Sequence, residues 1–268
     1  MNSFRYLWTT FKTKWPIIKA LVDRDIKDRY SAHVFGGIWA VGHPLLLMLI
    51  YLFVFNFIFK IRLGGEIDFT GDYITLVISA LTVWLVIQDV LMRACQSIRE
   101  QPGLVSQASF PLEVLPIKTA LSSWPLLLIC TGFLIIYQIA TGAMPPLATL
   151  AVPFYWLLLY GFLIGAAFWL SAISVFIPDT SDIMQVIVSI GLFVSPILFV
   201  PVLVPPGLDI AFYFNPFSYV IWPHKDLMFY GHIEHPFGWL GLIVLNLLFI
   251  WGGVRTFRRL RPRFGDVL

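Results

Sequence analysis

From Thr119 to Pro178 the chain contains no Asp, Glu, Lys, Arg or His. A membrane-spanning helix needs roughly 20 apolar residues, so this stretch holds two spans, divided at Met144-Pro145-Pro146. It is apolar throughout, without the period-two alternation of an outer-membrane barrel. The whole chain follows the same pattern: of its 268 residues 59% are hydrophobic and only 12% charged. That composition excludes an ordinary soluble domain and predicts an all-α, polytopic membrane protein.

Six spans are expected, near Gly36–Phe59, Tyr73–Met92, Thr119–Ala140, Leu147–Ile177, Ile183–Val204 and Phe237–Val254. Gly161 and Gly165 in the fourth form a GxxxG spacing, which lets helices approach closely. Fifteen of the 18 Lys and Arg fall on one side: the N-terminal segment, the loop from Arg93 to Lys118 and the C-terminal tail. The positive-inside rule then places both termini in the cytoplasm. The opposite loops are acidic, with Glu66, Asp68, Asp72, Asp209 and Glu234. No cleavable signal peptide is expected, and the chain reads as one transmembrane domain, 1–268, with no internal repeat and no Walker A loop. Cys95 and Cys130 suggest neither a disulfide framework nor a metal site.

Six of the seven residues from Asp23 to Arg29 are charged, and no formal charge follows until Lys60. Leu7, Phe11, Trp15, Ile18, Val22 and Ile26 recur at helical spacing, and Pro16 suits a first turn. The expectation is an interface helix from about Pro16 to Tyr30, its stripe in lipid, followed by a turn at glycines into the first span. On it Asp23 would pair with Lys27 and Asp25 with Arg29, acid first. In the 93–118 loop, prolines bracket short segments suited to a rigid knob. Asp89 lies one turn before Arg93, and a charge at a span end is costly unless paired. An i,i+4 pair is the simpler reading. His224, His232, Glu234 and His235 gather in an outer loop, but their spacing is not that of a zinc site. The Arg-rich tail reads as a flank that meets anionic lipid.

Beyond these patterns the chain resembles the membrane subunit of ABC transporters that export bacterial polysaccharides (O-antigen, capsule and teichoic acid permeases). The likeness lies in RDIKDRY (Arg24–Tyr30) followed by Gly36, Trp39 and Pro44; in SFPLEVLP (Ser109–Pro116); in Ser195-Pro196; and in Asn215-Pro216 with Lys225-Asp226 and Gly231. It departs at His33 and Phe35, where Ser and Leu are usual. It departs again at Pro178, where Arg is usual before Asp179, and at Lys225, where Arg is usual.

The resemblance implies a homodimer in the bacterial inner membrane, paired with two copies of a separate ATPase subunit that binds ATP and Mg2+. This chain would hold no cofactor, no metal and no catalytic residue, and would bind no nucleic acid. It implies a polyprenyl-diphosphate-linked glycan as cargo, moved from cytoplasm to periplasm. The 1–35 and 93–118 segments would meet the ATPase through Arg24, Asp25, Lys27, Arg29, Tyr30, Phe110, Pro111 and Glu113. The 205–236 segment would form a periplasmic gate of two short re-entrant helices, interrupted at Pro223, with Asn215, Pro216, Trp222, Lys225 and Asp226. A substrate channel would be lined by Tyr51, Phe55 and Phe59, an aromatic ladder at i, i+4, i+8 that core packing or lipid would explain otherwise, with Asn56 beside it and Arg93, in the alternative to its pair with Asp89, holding the lipid diphosphate at the cytoplasmic entrance. Two other classes stand against this reading. A stand-alone transporter would need ionisable groups near the midplane, which spans three to six lack. A membrane transferase acting on lipid-linked sugars would need clustered acids or histidines, and only the outer histidine loop offers them.

Overall fold

The computed structural model describes residues 3–31, 37–54, 72–105, 110–199, 207 and 209–267. Among them the chain is entirely helical. Four segments are long and apolar enough to cross a membrane: Tyr73–Gln96, Val114–Ala140, Leu147–Phe176 and Pro236–Asp266. They correspond to the second, third, fourth and sixth expected spans. The first and fifth are represented by shorter helices, α2 (Gly37–Phe53) and α8 (Thr180–Val194).

The central element is α3 (Tyr73–Gln96). Asp72 caps it, its carboxylate accepting from the amides of Ile74 at 3.2 Å and Thr75 at 3.3 Å. Such a cap satisfies amides that the first turn leaves without partners. Downstream, α3 is apolar on nearly every face, as a helix surrounded by others must be. Leu76, Leu81, Val83 and Ile87 have no exposed surface, and α3 packs against α6 (Trp124–Ala140), α7 (Val152–Phe176), α8 and α10 (Ser218–Lys225).

The most extensive helix contact joins α7 to α11 (Pro236–Leu260). Its cause is the small-residue face anticipated at Gly161 and Gly165. A Cβ at Gly165 would lie 2.6 Å from the Phe249 carbonyl carbon, and one at Gly253 would lie 2.3 Å from the Gly165 oxygen. The Asn246 amide fills the space over Gly161 and donates to the Leu158 carbonyl at 2.6 Å. Close backbone approach of this kind supplies packing where lipid provides no hydrophobic drive between helices.

Three local expectations are corrected. The first helix, α1, runs Ser3–Ser31 and carries Pro16 inside it rather than at its start. Pro16 lies on the exposed side, so the hydrogen bond it removes is not lost in a buried setting. The stripe of α1 does not face outward into lipid. Ile18 is fully buried, Leu7 and Val22 nearly so, and the helix lies against α5 (Val114–Leu121) and α11, leaving only Trp15 of the stripe well exposed. Lastly, the outer segment is not broken at Pro223, which sits within α10. That helix continues as a π-helical turn, Asp226–Tyr230, closed by Gly231 at φ 74°. A separate short helix, α9 (Asp209–Phe214), precedes it. Only a residue tolerant of the left-handed region closes such a turn without strain, and glycine is that residue.

Candidate functional site

At the end of the bundle that carries α1, five charged side chains from three elements form one ion cluster. Asp25 of α1 accepts from Lys118 of α5 and lies 3.3 Å from Arg93 of α3. The guanidinium of Arg93 also clasps Asp89, with Nε at 3.1 Å, and donates to the Ser122 hydroxyl at 2.8 Å. Arg29 reaches the same Asp89 at 3.3 Å. The Asp89–Arg93 i,i+4 pair is therefore present, but it is one part of a network tying α1 to the rest of the chain. Asp25 and Arg29 do not form the i,i+4 pair expected between them, because each finds a partially desolvated partner on another helix; on α1 itself the exposed pair is Arg24–Asp28, at 3.3 Å. Burial alone would push the Asp25 carboxyl up. The hydrogen bonds and charges of Lys118, Ser122 and Arg93 outweigh it and hold that carboxyl below its ordinary range.

Beside this cluster, Glu113 is nearly buried and lies 3.0 Å from Arg261 of the C-terminal segment. Tyr6, Phe110, Leu112, Arg258, Arg261 and Pro262 wall a cavity of about 550 Å³. Arg258 stacks over the Tyr6 ring at 5.0 Å. The tail thus folds back against the loop before α5 and is more than a flank.

The opposite end is closed by α9, α10 and the π turn. Lys225 and Asp226, adjacent in sequence, have separate partners. The Lys225 ammonium donates to the Pro196 carbonyl. The fully buried Asp226 carboxylate accepts from the His235 amide at 3.2 Å and the Trp239 indole at 3.0 Å, with His235 Nδ1 2.8 Å away. Trp222 stacks on His235 with ring centroids 5.3 Å apart. Asn215 donates to the Ser195 hydroxyl at 2.9 Å and accepts from the Phe217 amide at 3.0 Å, turning the chain into α10. Pro216 is exposed at that turn. The outer histidines scatter: His224 is buried 2.8 Å from the Ser79 carbonyl, His232 pairs with exposed Glu234, and His235 serves Asp226. Among the described residues no three His, Cys, Asp or Glu could hold a metal ion.

Arg24 and Lys27 point outward, whereas Asp25, Arg29 and Glu113 point inward and Phe110 and Pro111 are half-buried. Tyr51 is half-buried near the end of α2. Phe55, Asn56 and Phe59, and the side chain of Tyr30, lie outside the described residues, as do 205, 206 and 208 of the outer segment. Sequence reasoning missed the roles of Lys118, Arg261, His235 and Trp239. By sequence Lys118 counts only toward topology and Arg261 toward topology and a lipid-facing tail, because their partners are 93 and 148 positions away.

These features define a helical, membrane-integral protein whose charged end is held by ion pairs between elements. The chain matches the ABC-2 type transporter family over residues 17–222 and belongs to it. It is 21% identical over 259 residues to an O-antigen export system permease protein RfbA of Klebsiella pneumoniae, covering 94% of this chain and 95% of that protein. Over 252 residues it is 18% identical to a protein of the same description from Myxococcus xanthus, covering 93% of this chain and 94% of that one.

Proposed function

We propose that this chain is the transmembrane subunit of an ATP-driven exporter that moves a lipid-linked, O-antigen-like polysaccharide from cytoplasm to periplasm across the bacterial inner membrane. The observation that carries the reading is the near full-length likeness to O-antigen export permeases. In this reading two copies of the chain pair with two copies of a separate ATPase, which binds ATP and Mg2+. The helices α2 and α8 complete a six-span subunit. Their exposed apolar residues, among them Leu49, Phe53, Ile183 and Phe193, meet lipid or the second copy. Both termini are cytoplasmic, and α1 is the interface helix.

The ATPase docks on the outward side chains Arg24 and Lys27 and on the Phe110-Pro111 edge. Asp25, Arg29 and Glu113 act behind that surface by binding α1 and the 93–118 loop to the spans. A push on either segment is then transmitted to α3 through charge-assisted hydrogen bonds and to the end of α11 through the Glu113–Arg261 ion pair. On the other side α9, α10 and the π turn form the periplasmic gate as re-entrant helices. Irregular backbone at that depth is tolerated where protein covers it. Tyr51, with Phe55, Asn56 and Phe59 further along, lines the glycan path.

Purification from native membranes in mild detergent, followed by mass spectrometry, tests the proposal. An equimolar subunit with a P-loop is expected. Repeated recovery of the chain alone after cross-linking would overturn ATP coupling.

A further inference from the structure

The ion cluster beneath α3 is not electrically closed. Two carboxylates, Asp25 and Asp89, face three cations, Arg29, Arg93 and Lys118. Arg93 is committed to Asp89, Asp25 and Ser122, and Lys118 to Asp25. Arg29 uses only Nη1, at 3.4 Å from Asp89. Its Nη2 is buried and, among the described residues, has no hydrogen-bond partner. An unpaired guanidinium N–H out of water is costly and calls for an acceptor. Asp89 and Arg93 stand in the last two turns of a spanning-length helix, where lipid headgroups lie. About a quarter of the Arg29 side chain remains exposed although Nη2 itself is enclosed, so the guanidinium borders the outside and reaches it by a turn of the side chain.

We propose that Arg29, turning its unpartnered Nη2 outward and backed by the excess positive charge of the cluster, binds a phosphate group carried on a lipid. A guanidinium offers parallel donors that match phosphate oxygens, and an anion there cancels the charge in excess. Two sources share this chemistry: a phospholipid headgroup, and the phosphate of a lipid-linked glycan. The inference rests on the function proposed above for placing this end at the cytoplasmic leaflet, and it deepens that reading by locating where the cargo's phosphate is first held.

The test is native mass spectrometry of the purified full-length protein, with its ATPase where that co-purifies. The probes are short-chain phosphatidylglycerol, farnesyl diphosphate and, as an uncharged control, diacylglycerol. Both phosphate lipids are expected to bind, diacylglycerol is not, and inorganic diphosphate should compete. Arg29→Gln should weaken phosphate-lipid binding by about tenfold or more, and Arg29→Lys by less. Lys19→Gln, which removes an exposed charge from the same helix, should leave binding unchanged.

Equal binding of diacylglycerol, unchanged binding in Arg29→Gln, or an equal loss in Lys19→Gln would overturn the proposal. Should Arg29→Gln fail to fold, the wild-type arms decide, since lack of competition by diphosphate overturns it as well. Tighter binding of farnesyl diphosphate assigns the site to cargo and tighter phosphatidylglycerol to a resident lipid, and both support a phosphate site. Failure of the wild-type protein to bind either phosphate lipid while the ATPase still co-purifies would sink only this inference. An absent ATPase with Arg29-dependent binding intact would sink only the proposed function.

Discussion

The α7–α11 contact makes an unusually sharp prediction, because one substitution has opposite signs at two glycines. At Gly165 a new Cβ would meet Phe249 backbone carbon at 2.6 Å and Ile250 backbone nitrogen at 2.7 Å, where ordinary contact begins at 3.4 Å. The difference, about 0.8 Å, has to come from moving α7 away from α11, since neither atom belongs to a flexible side chain. Gly253 sits against the Gly165 carbonyl, so the shift cannot be confined to one turn. Overpacking of this kind costs about 1–3 kcal/mol, against a gain of about 1 kcal/mol from replacing glycine by alanine in a helix. Gly165→Ala should therefore lose up to about 2 kcal/mol. Gly132 lies within α6 with nothing within 4 Å of its would-be Cβ. Gly132→Ala should keep the propensity gain of up to about 1 kcal/mol. Both variants can be melted in the same detergent, with unfolding followed by a thiol-reactive dye on the buried Cys95 and Cys130. The reasoning fails if Gly165→Ala melts at or above wild type, or if both variants shift the same way.

Four further outcomes are expected. Asp25→Asn should destabilise the chain by about 2 kcal/mol at neutral pH, since charged hydrogen bonds to Lys118 and Arg93 are lost. Because the folded Asp25 carboxyl is held below its ordinary 3.8, its contribution is complete above that pH and fades as pH falls further; the melting gap between wild type and Asp25→Asn should therefore close only below about pH 4. Asp226→Ala leaves the His235 amide and Trp239 indole without their acceptor; a loss of about 3 kcal/mol is expected, with a smaller loss for Asp226→Asn, and equal melting temperatures for both would contradict the assigned bonds. Alanine at Tyr51 and Phe55 together should lower glycan export in a complementation assay while the proposed dimer still elutes intact, and normal export would remove the aromatic ladder from the path. Replacing His232, Glu234 and His235 together should leave no enzymatic loss to measure beyond the effect of freeing Asp226, and a selective loss of sugar transfer would revive the transferase reading.

What the sequence revealed and what it hid divide along the range of the interactions. The spans at Tyr73–Gln96 and Leu147–Phe176 were legible because lipid imposes a local rule, length and apolarity, that each segment meets by itself. The Gly161/Gly165 face was legible for the same reason, since one helix displays it whole. The direction of the α1 stripe was not. An apolar stripe beside charges fits a lipid surface and a protein groove equally well, and only the place of α5 and α11 decides that Ile18 is buried against them. The charge pairs show why more directly. Asp25 and Arg29 satisfy the local i,i+4 rule, worth about 0.5 kcal/mol at a helix surface. Arg93, Lys118 and Asp89 offer them partially desolvated partners, where each charged hydrogen bond counts for more. The stronger, distant pairs win, and with them α1 is fastened to α3 and α5. A helix held only by local pairs could slide on the membrane without moving the spans. One fastened through Asp25, Arg29 and Arg93 cannot, so under the proposed function the feature least visible in the sequence is the one that would carry a force from α1 to the spans.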